Sequence, residues 1–189
     1  MNEQLNVVIG ITGAHSVGKT TFCQGLGSYL ADRGYPLTIL DGLGDQVRSL
    51  GIPVGATANS DTVALIYSAH LEREQNLRGG MFLLDRSTID ALAYVKALGV
   101  NTEAEKALYE RVTQLSSRQY HLSIHLRLSP FFADMCDEHE TPLLRRAVDA
   151  HIAEILRSQS ASHVSFDASS VEAIPIAAME IGKLVSASR

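Results

Sequence analysis

Hydrophobic residues fall along the chain in short runs that alternate with longer segments of mixed character. Near-continuous apolar runs at residues 5–12, 37–40 and 81–84 have the length and composition of buried parallel strands, and a last short strand is predicted at residues 163–166. Residues 120–128 alternate polar with aliphatic side chains, which is the period of a strand with one apolar face. Five strands separated by helical segments predict an α/β protein built on a doubly wound parallel sheet.

Helical signals occupy the intervals between these strands. A first helix is predicted at residues 19–32, because Gly34 and Pro36 supply a left-handed terminus and prevent continuation. Asp61 is the predicted N-cap of a helix that reaches Arg78. Further helices are expected at residues 45–50, 87–98, 102–117, 142–157 and 171–186.

Composition narrows the class of protein. The chain has 189 residues, 46% of them hydrophobic and 20% charged, which fits one domain over residues 1–189. A formal charge of −5 provides no general attraction to nucleic acid or anionic lipid. The two cysteines do not form a disulfide scaffold, and no apolar run approaches the ~20 residues of a membrane span. We expect a cytoplasmic protein with no membrane partner, and a homodimer is compatible with the sequence.

The strongest chemical signal lies between the first strand and the first helix. It reads Gly13-Ala14-His15-Ser16-Val17-Gly18-Lys19-Thr20 and matches G-x-x-x-x-G-K-S/T at every fixed position. The glycines let backbone N–H groups converge on phosphate oxygens, and the helix dipole points at the same place. Lys19 supplies a cation to the outer phosphates, and the Thr20 hydroxyl can bind Mg²⁺. With Thr21, this segment is the predicted site for Mg·ATP.

Carboxylates follow two of the predicted strands. Ligands of open parallel sheets gather at the carboxyl ends of the strands, where Asp41 and Asp85 both stand. Asp85 is a candidate Mg²⁺ ligand, with a helix N-cap as the alternative role. Asp41 is a candidate base for a substrate hydroxyl, with a turn before Gly42 as the alternative. Lys19, Asp41 and Asp85 form the predicted catalytic set.

Arginines are the candidate ligands for a second substrate. Arg48 and Arg86 lie close to the two carboxylates in sequence and can bind a phosphate or carboxylate through a planar guanidinium. A lid is expected near residues 129–145, and Arg145 is its candidate ATP ligand. Arg127 and Arg146 flank the same segment, and a solvated surface position is the alternative for each of these arginines.

These motifs together resemble the nucleoside and nucleotide kinase branch of P-loop proteins. That branch includes thymidylate kinase-like proteins, nicotinamide riboside kinases and AAA-type ATP-binding proteins. The stretch Leu84-Asp85-Arg86-Ser87-Thr88-Ile89-Asp90-Ala91-Leu92-Ala93-Tyr94 is similar to the D-R-x-x-x-S-x-x-A-Y signature of thymidylate kinases, except that Asp90 stands at the serine position. The resemblance implies a three-layer α/β/α fold with strand order 2-3-1-4-5. It also implies Asp41 as the base, and Arg48 and Arg86 as acceptor ligands.

The leading functional hypothesis is phosphoryl transfer from Mg·ATP to a nucleoside, nucleotide or related metabolite. One alternative is a regulatory ATPase that hydrolyses slowly and signals by shape. Another is a kinase of a modified base in DNA, which the acidic net charge disfavours. A deep second pocket beside the γ-phosphate, lined by Asp41, Arg48 and Arg86, would favour the metabolite kinase, and a flat surface would favour the regulatory ATPase.

Overall fold

The computed structural model describes residues 6–99, 102–103, 106–107, 120–135, 140–158 and 162–187. Most of the helix expected at residues 102–117 lies outside these ranges, as do residues 136–139 of the expected lid. The other predicted strands and helices fall within the described parts of the chain.

One sheet of five parallel strands forms the centre of the fold. Its strands are β1 (Asn6–Thr12), β2 (Thr38–Leu40), β3 (Gly80–Asp85), β4 (Leu122–Arg127) and β5 (His163–Asp167). Their order is β2-β3-β1-β4-β5, which confirms the predicted α/β class and strand order. In the register of the sheet, Ile11 of β1 pairs with Asp85 of β3 and with Ile124 of β4. The loop after β1 therefore begins beside the carboxyl end of β3.

Helices cover both faces of this sheet. In the described residues they are α1 (Lys19–Ala31), α2 (Gly44–Ser49), α3 (Ser60–Gln75), α4 (Thr88–Leu98), α5 (Pro142–Ser158) and α6 (Ala173–Ala187). Single 3₁₀ turns occur at Gly55–Thr57 and Pro130–Phe132. α1 packs against α6, whereas α3, α4 and α5 pack against one another in series. None of the described helices is both long and apolar enough to cross a bilayer.

The central strands owe their burial to aliphatic side chains on both faces. Ile9 and Leu83 pair in the sheet and point to one face, Val8 and Leu84 point to the other, and all four are buried. Burying a side chain of this kind contributes about 1.5–3 kcal/mol relative to exposure. This interior fixes the ends of β1 and β3, from which the candidate site extends.

The start of α3 corrects one sequence prediction. Asn59, not Asp61, is the N-cap, because its side-chain oxygen accepts a hydrogen bond from the backbone N–H of Thr62 at 2.9 Å. Asp61 lies in the first turn of the helix, where a carboxylate still complements the helix dipole. The predicted cap was wrong by two residues. Asn59 stands three residues before Thr62, which is the spacing at which an N-cap side chain accepts from the helix backbone.

Candidate active site

The loop between β1 and α1 has a backbone suited to anions. Ser16 and Gly18 have positive φ angles of 56° and 88°, and α1 starts directly after Gly18. Gly18 brings no side chain to cap the first N–H groups of α1, so a bound anion can take that role. At Gly13 a Cβ atom would lie 2.6 Å from the carbonyl oxygen of Leu126, so only glycine fits there. Both glycines of the motif are therefore required by geometry.

Lys19 is held against the inner side of this loop. Its Nζ donates hydrogen bonds to the carbonyl oxygens of Gly13 at 2.8 Å and Ala14 at 2.6 Å. Burial lowers the pKa of Lys19 to about 7, and the charge of Arg86 acts in the same direction. An incoming phosphate would supply the opposite charge that this ammonium group needs.

Thr20 and Asp85 bring two hard oxygen ligands together. The Thr20 Oγ1 donates to Asp85 Oδ2 at 2.5 Å, across the gap between α1 and the end of β3. Asp85 is buried, with 6% of its surface exposed. A hydroxyl and a carboxylate are ligands that Mg²⁺ accepts, so these two residues fit the predicted metal site. The alternative role of Asp85 as a helix cap belongs instead to Ser87, the N-cap of α4.

Asp41 stands at the end of β2 with an exposed side chain. Its backbone carbonyl accepts a hydrogen bond from Arg73 of α3 at 2.5 Å, which fixes the strand end. The next residue, Gly42, comes so close to Arg86 that a Cβ atom would lie 3.3 Å from the Arg86 Cδ. The loop after β2 and the residue after β3 therefore meet in front of the phosphate loop.

Arg86 adopts a left-handed backbone with a φ of 79°. This conformation is uncommon for a residue with a side chain, and such residues cluster at functional sites. The guanidinium group lies 3.0 Å from His15 Nδ1 and must be the donor, since arginine has no acceptor. Burial opposes the charge on Arg86, but the acidic groups around it together outweigh this effect and raise the pKa of the guanidinium.

A cleft of about 700 Å³ lies over the phosphate loop. The predicted nucleotide-binding residues that line it are His15, Ser16, Gly18, Lys19, Thr20 and Thr21. The other residues of the motif, Gly13, Ala14 and Val17, are buried within the loop. Its other walls include all the remaining predicted catalytic and acceptor-binding residues, namely Asp41, Asp85, Arg48 and Arg86. The structure thus brings the phosphate, metal and acceptor candidates into one cavity.

A second, narrower pocket of about 70 Å³ adjoins this cleft. Both cavities share His15, Gly44, Arg48 and Arg86, so these residues lie at the junction. Asp41 lines the cleft but not the narrow pocket. We call the narrow cavity the inner pocket.

The inner pocket has apolar walls and a few polar groups. Its aliphatic walls come from the α2–α3 connection, from α3 and from α4: Val54, Ala58, Val63, Ile66 and Ala91. His70, Tyr94 and Glu140 add polar groups. The Tyr94 hydroxyl donates to Glu140 Oε1 at 2.6 Å, and burial raises the pKa of Tyr94 well above its usual range. Apolar walls with a few fixed polar groups are typical of sites for small organic ligands.

Asp90 ties the phosphate loop to α4. Its Oδ1 accepts from the backbone N–H of Gly13 at 3.2 Å, and its Oδ2 accepts from Ser87 N at 2.9 Å and Ser87 Oγ at 3.2 Å. Only 3% of its surface is exposed. The S-x-x-D spacing from Ser87 signals the capping box, but not the bond to a loop 77 residues away. Sequence reasoning therefore missed the role of Asp90 in the site.

Arg145 is completely buried between the expected lid and the phosphate loop. Its Nε donates to the His15 carbonyl at 3.0 Å, and its Nη1 donates to the carbonyls of Ala133 at 3.2 Å and of Met135. Arg146, by contrast, is exposed and pairs with Asp134 at 2.5 Å. Contact of Arg145 with ATP stays a prediction, while its described bonds run to backbone carbonyls.

The parallel sheet, the strand order and the phosphate-binding loop together define a P-loop nucleotide-binding protein. Comparison with family models makes this more specific, because the model described as AAA domain matches residues 8–173. The chain belongs to that family. No curated protein matches it.

Proposed function

We propose that the protein transfers the γ-phosphoryl group of Mg·ATP to a small acceptor, a nucleoside, nucleotide or related metabolite. The observation that supports this most is the cleft of about 700 Å³, in which Asp41, Arg48 and Arg86 lie beside the phosphate loop and which adjoins the inner pocket. A regulatory ATPase needs no such cavity, whereas a kinase needs one beside the γ-phosphate.

The phosphates of ATP would occupy the cleft over the loop. Backbone N–H groups at the start of α1 and the Lys19 ammonium supply the positive charge. Thr20 and Asp85 would hold Mg²⁺, which neutralises charge on the phosphate oxygens when it is bound. These groups would hold the γ-phosphate in the cleft that Asp41, Arg48 and Arg86 also line.

The transfer step needs an acceptor oxygen placed in line with the leaving ADP. That oxygen forms a bond to the γ-phosphorus as the bond to the β–γ bridging oxygen breaks, and ADP departs. When the acceptor is a hydroxyl, its proton passes to the Asp41 carboxylate. Arg48 and Arg86 orient the acceptor and stabilise negative charge in the transition state.

The body of the acceptor would lie in the cleft beside Arg48 and Arg86, and a small part of it would enter the inner pocket of about 70 Å³. The aliphatic walls of the inner pocket suit an apolar group, and Tyr94, Glu140 and His70 offer hydrogen bonds to polar substituents. Enclosure by α3 and α4 would also keep water from the γ-phosphate, which favours transfer over hydrolysis.

The proposal is tested by ADP release from Mg·ATP across a panel of nucleosides, nucleoside monophosphates and nicotinamide riboside. We expect one acceptor to raise the rate well above that without acceptor, and Lys19→Ala and Asp41→Asn to abolish the increase. Lys183→Ala and Asp32→Asn remove the same groups from exposed positions and serve as matched controls. ATP binding without stimulation by any member of the panel would overturn the proposal in favour of a regulatory ATPase.

A further inference from the structure

We infer that His15 is a positioning residue that holds the Arg86 guanidinium at the junction of the cleft and the inner pocket, and that Arg145 fixes His15 in turn. The inference rests on the proposed phosphoryl transfer, in which Arg86 orients the acceptor. It assigns to His15 and Arg145 a role through Arg86, not a contact with the transferred group.

Arg86 is held from its backbone outward. Its left-handed conformation requires surroundings that leave no alternative. The Arg86 N–H donates to the carbonyl of Ile11 at 3.1 Å, at the end of β1. Gly42 packs against the start of the side chain, and any larger residue there would approach the Arg86 Cδ within 3.3 Å. These contacts direct the side chain towards the junction.

The outer end of Arg86 is fixed by His15. The distance from Arg86 Nη2 to His15 Nδ1 is 3.0 Å, and only the imidazole can accept in this pair. The bond therefore selects the neutral imidazole with its proton on Nε2. Asp90, Asp85 and Glu140 are the carboxylates whose charges act on Arg86. The hydrogen bond to His15 fixes the direction of the guanidinium among these groups.

His15 is itself fixed by Arg145. The His15 carbonyl accepts from Arg145 Nε at 3.0 Å, and the same guanidinium binds the carbonyls of Ala133 and Met135. Arg145 has no exposed surface, so it cannot leave these carbonyls without moving the segment that carries them. A chain of hydrogen bonds thus runs from residues 133–135 through Arg145 and His15 to Arg86.

Loss of the His15 ring should affect the acceptor more than the nucleotide. The phosphates of ATP are bound by Lys19 and backbone N–H groups, none of which depends on the imidazole. Arg86 would lose its fixed direction, and a misplaced orienting group costs on the order of 10- to 100-fold in rate. The transfer rate should therefore fall by a larger factor than the affinity for Mg·ATP.

The first test needs no acceptor. Nitrogen NMR of isotope-labelled histidine reports which ring nitrogen carries the proton, and His15→Ala identifies the signal. We expect an unprotonated Nδ1 with the proton on Nε2 in the wild type, and a shifted Nδ1 resonance in Arg86→Ala, where the hydrogen bond that Nδ1 accepts is lost. A protonated Nδ1 in the wild type, or an Nδ1 resonance unchanged by Arg86→Ala, would overturn the inference.

The second test uses Mg·ATP with thymidine, thymidine monophosphate, AMP and nicotinamide riboside as probes. His15→Ala should lose 10- to 100-fold in transfer rate, and His15→Asn should recover most of it, because the asparagine oxygen lies near the position of Nδ1. His151→Ala on α5 is the matched control. Equal rates for the Ala and Asn variants would overturn the inference. Absence of transfer to every probe would overturn the proposed function. The nitrogen NMR measurement would then test the contact between His15 and Arg86 by itself.

Discussion

Burial shifts the pKa of two side chains of α1, Lys19 and Cys23. Lys19 is buried beside Arg86, so its ammonium is disfavoured until an anion arrives. Cys23, four residues along α1, is also buried, and burial raises the pKa of its thiol well above the usual range. Both shifts have consequences that can be measured in solution.

Lys19 should take up a proton when Mg·ATP binds. With a pKa of about 7, it is roughly nine-tenths neutral at pH 8 in the free protein. Phosphate oxygens stabilise the charged form and raise the pKa, so binding at pH 8 draws a proton from the buffer. The uptake appears in titration calorimetry as a dependence of the binding enthalpy on the buffer. In Lys19→Met the binding enthalpy should lose the buffer dependence that this proton causes. Equal proton uptake by the wild type and by Lys19→Met would contradict the prediction.

Asp90 should support both the fold and nucleotide binding. Asp90→Asn replaces one of two accepting oxygens with a donor, which leaves the N–H of Gly13 or of Ser87 buried without its partner. Such a loss costs about 1–3 kcal/mol. Urea unfolding should show a decrease of that size, together with weaker Mg·ATP binding. The control is Asp61→Asn, in the exposed first turn of α3, and an equal effect there would argue against a special role for Asp90.

Cys23 should be chemically inert in the folded protein. The thiolate is the reactive form, and burial makes it rare at neutral pH. In a Cys136→Ser variant, where Cys23 is the remaining cysteine, a thiol reagent should react slowly at pH 8 and rapidly in concentrated urea. Fast labelling of the folded protein would show that α1 opens or that the thiol is accessible.

Sequence patterns predicted the site residues whose roles depend on neighbours in the chain. The phosphate loop is such a case, since spacing alone aligns Gly18, Lys19 and Thr20. Tyr94 and Glu140 were missed because they meet across 46 residues of sequence. No local period encodes that contact, which arises only when α4 packs against α5.

At the scale of elements, the period of the hydrophobic residues predicted where strands and helices lie. It did not predict which polar faces of these elements are buried under a helix. β4 has alternating polar residues, yet Ser123 and His125 are each only 1% exposed. α5 covers this face, and its Asp149 lies 3.0 Å from His125 Nε2. The polar and the aliphatic side chains of β4 therefore point to two faces that are both buried, because helices cover a central strand on both sides.

Asp149 should hold α5 against the end of β4. Its Oδ1 also accepts from the backbone N–H of Leu128 at 2.9 Å, so Asp149→Ala leaves two buried donors without their acceptor. We expect a loss of about 1–3 kcal/mol in the free energy of unfolding. Glu154→Ala, an exposed change on the same helix, is the control in urea unfolding. Equal stability of the wild type and Asp149→Ala would contradict this role.

At the scale of the whole molecule, the strand order brings distant residues to one edge of the sheet. Asp41 and Asp85 follow adjacent strands, and the phosphate loop follows the next strand in the sheet. Parallel strands with this order place all three in one cleft, which is why a sequence with five recognisable strands already indicates the phosphate and metal site. The contributions of α4 and Glu140 to the inner pocket could not be predicted in the same way, because no motif specifies how these segments pack beside α3.

The central claim concerns where the γ-phosphoryl group goes. The most direct test follows γ-labelled ATP incubated with the protein, Mg²⁺ and each acceptor of the panel, and separates labelled small molecules from orthophosphate. Phosphoryl transfer predicts that the label accumulates on one acceptor, in amounts equal to the ADP formed, and that Lys19→Ala prevents it. Label released only as orthophosphate, at a rate that no acceptor changes, would contradict the claim and identify an ATPase.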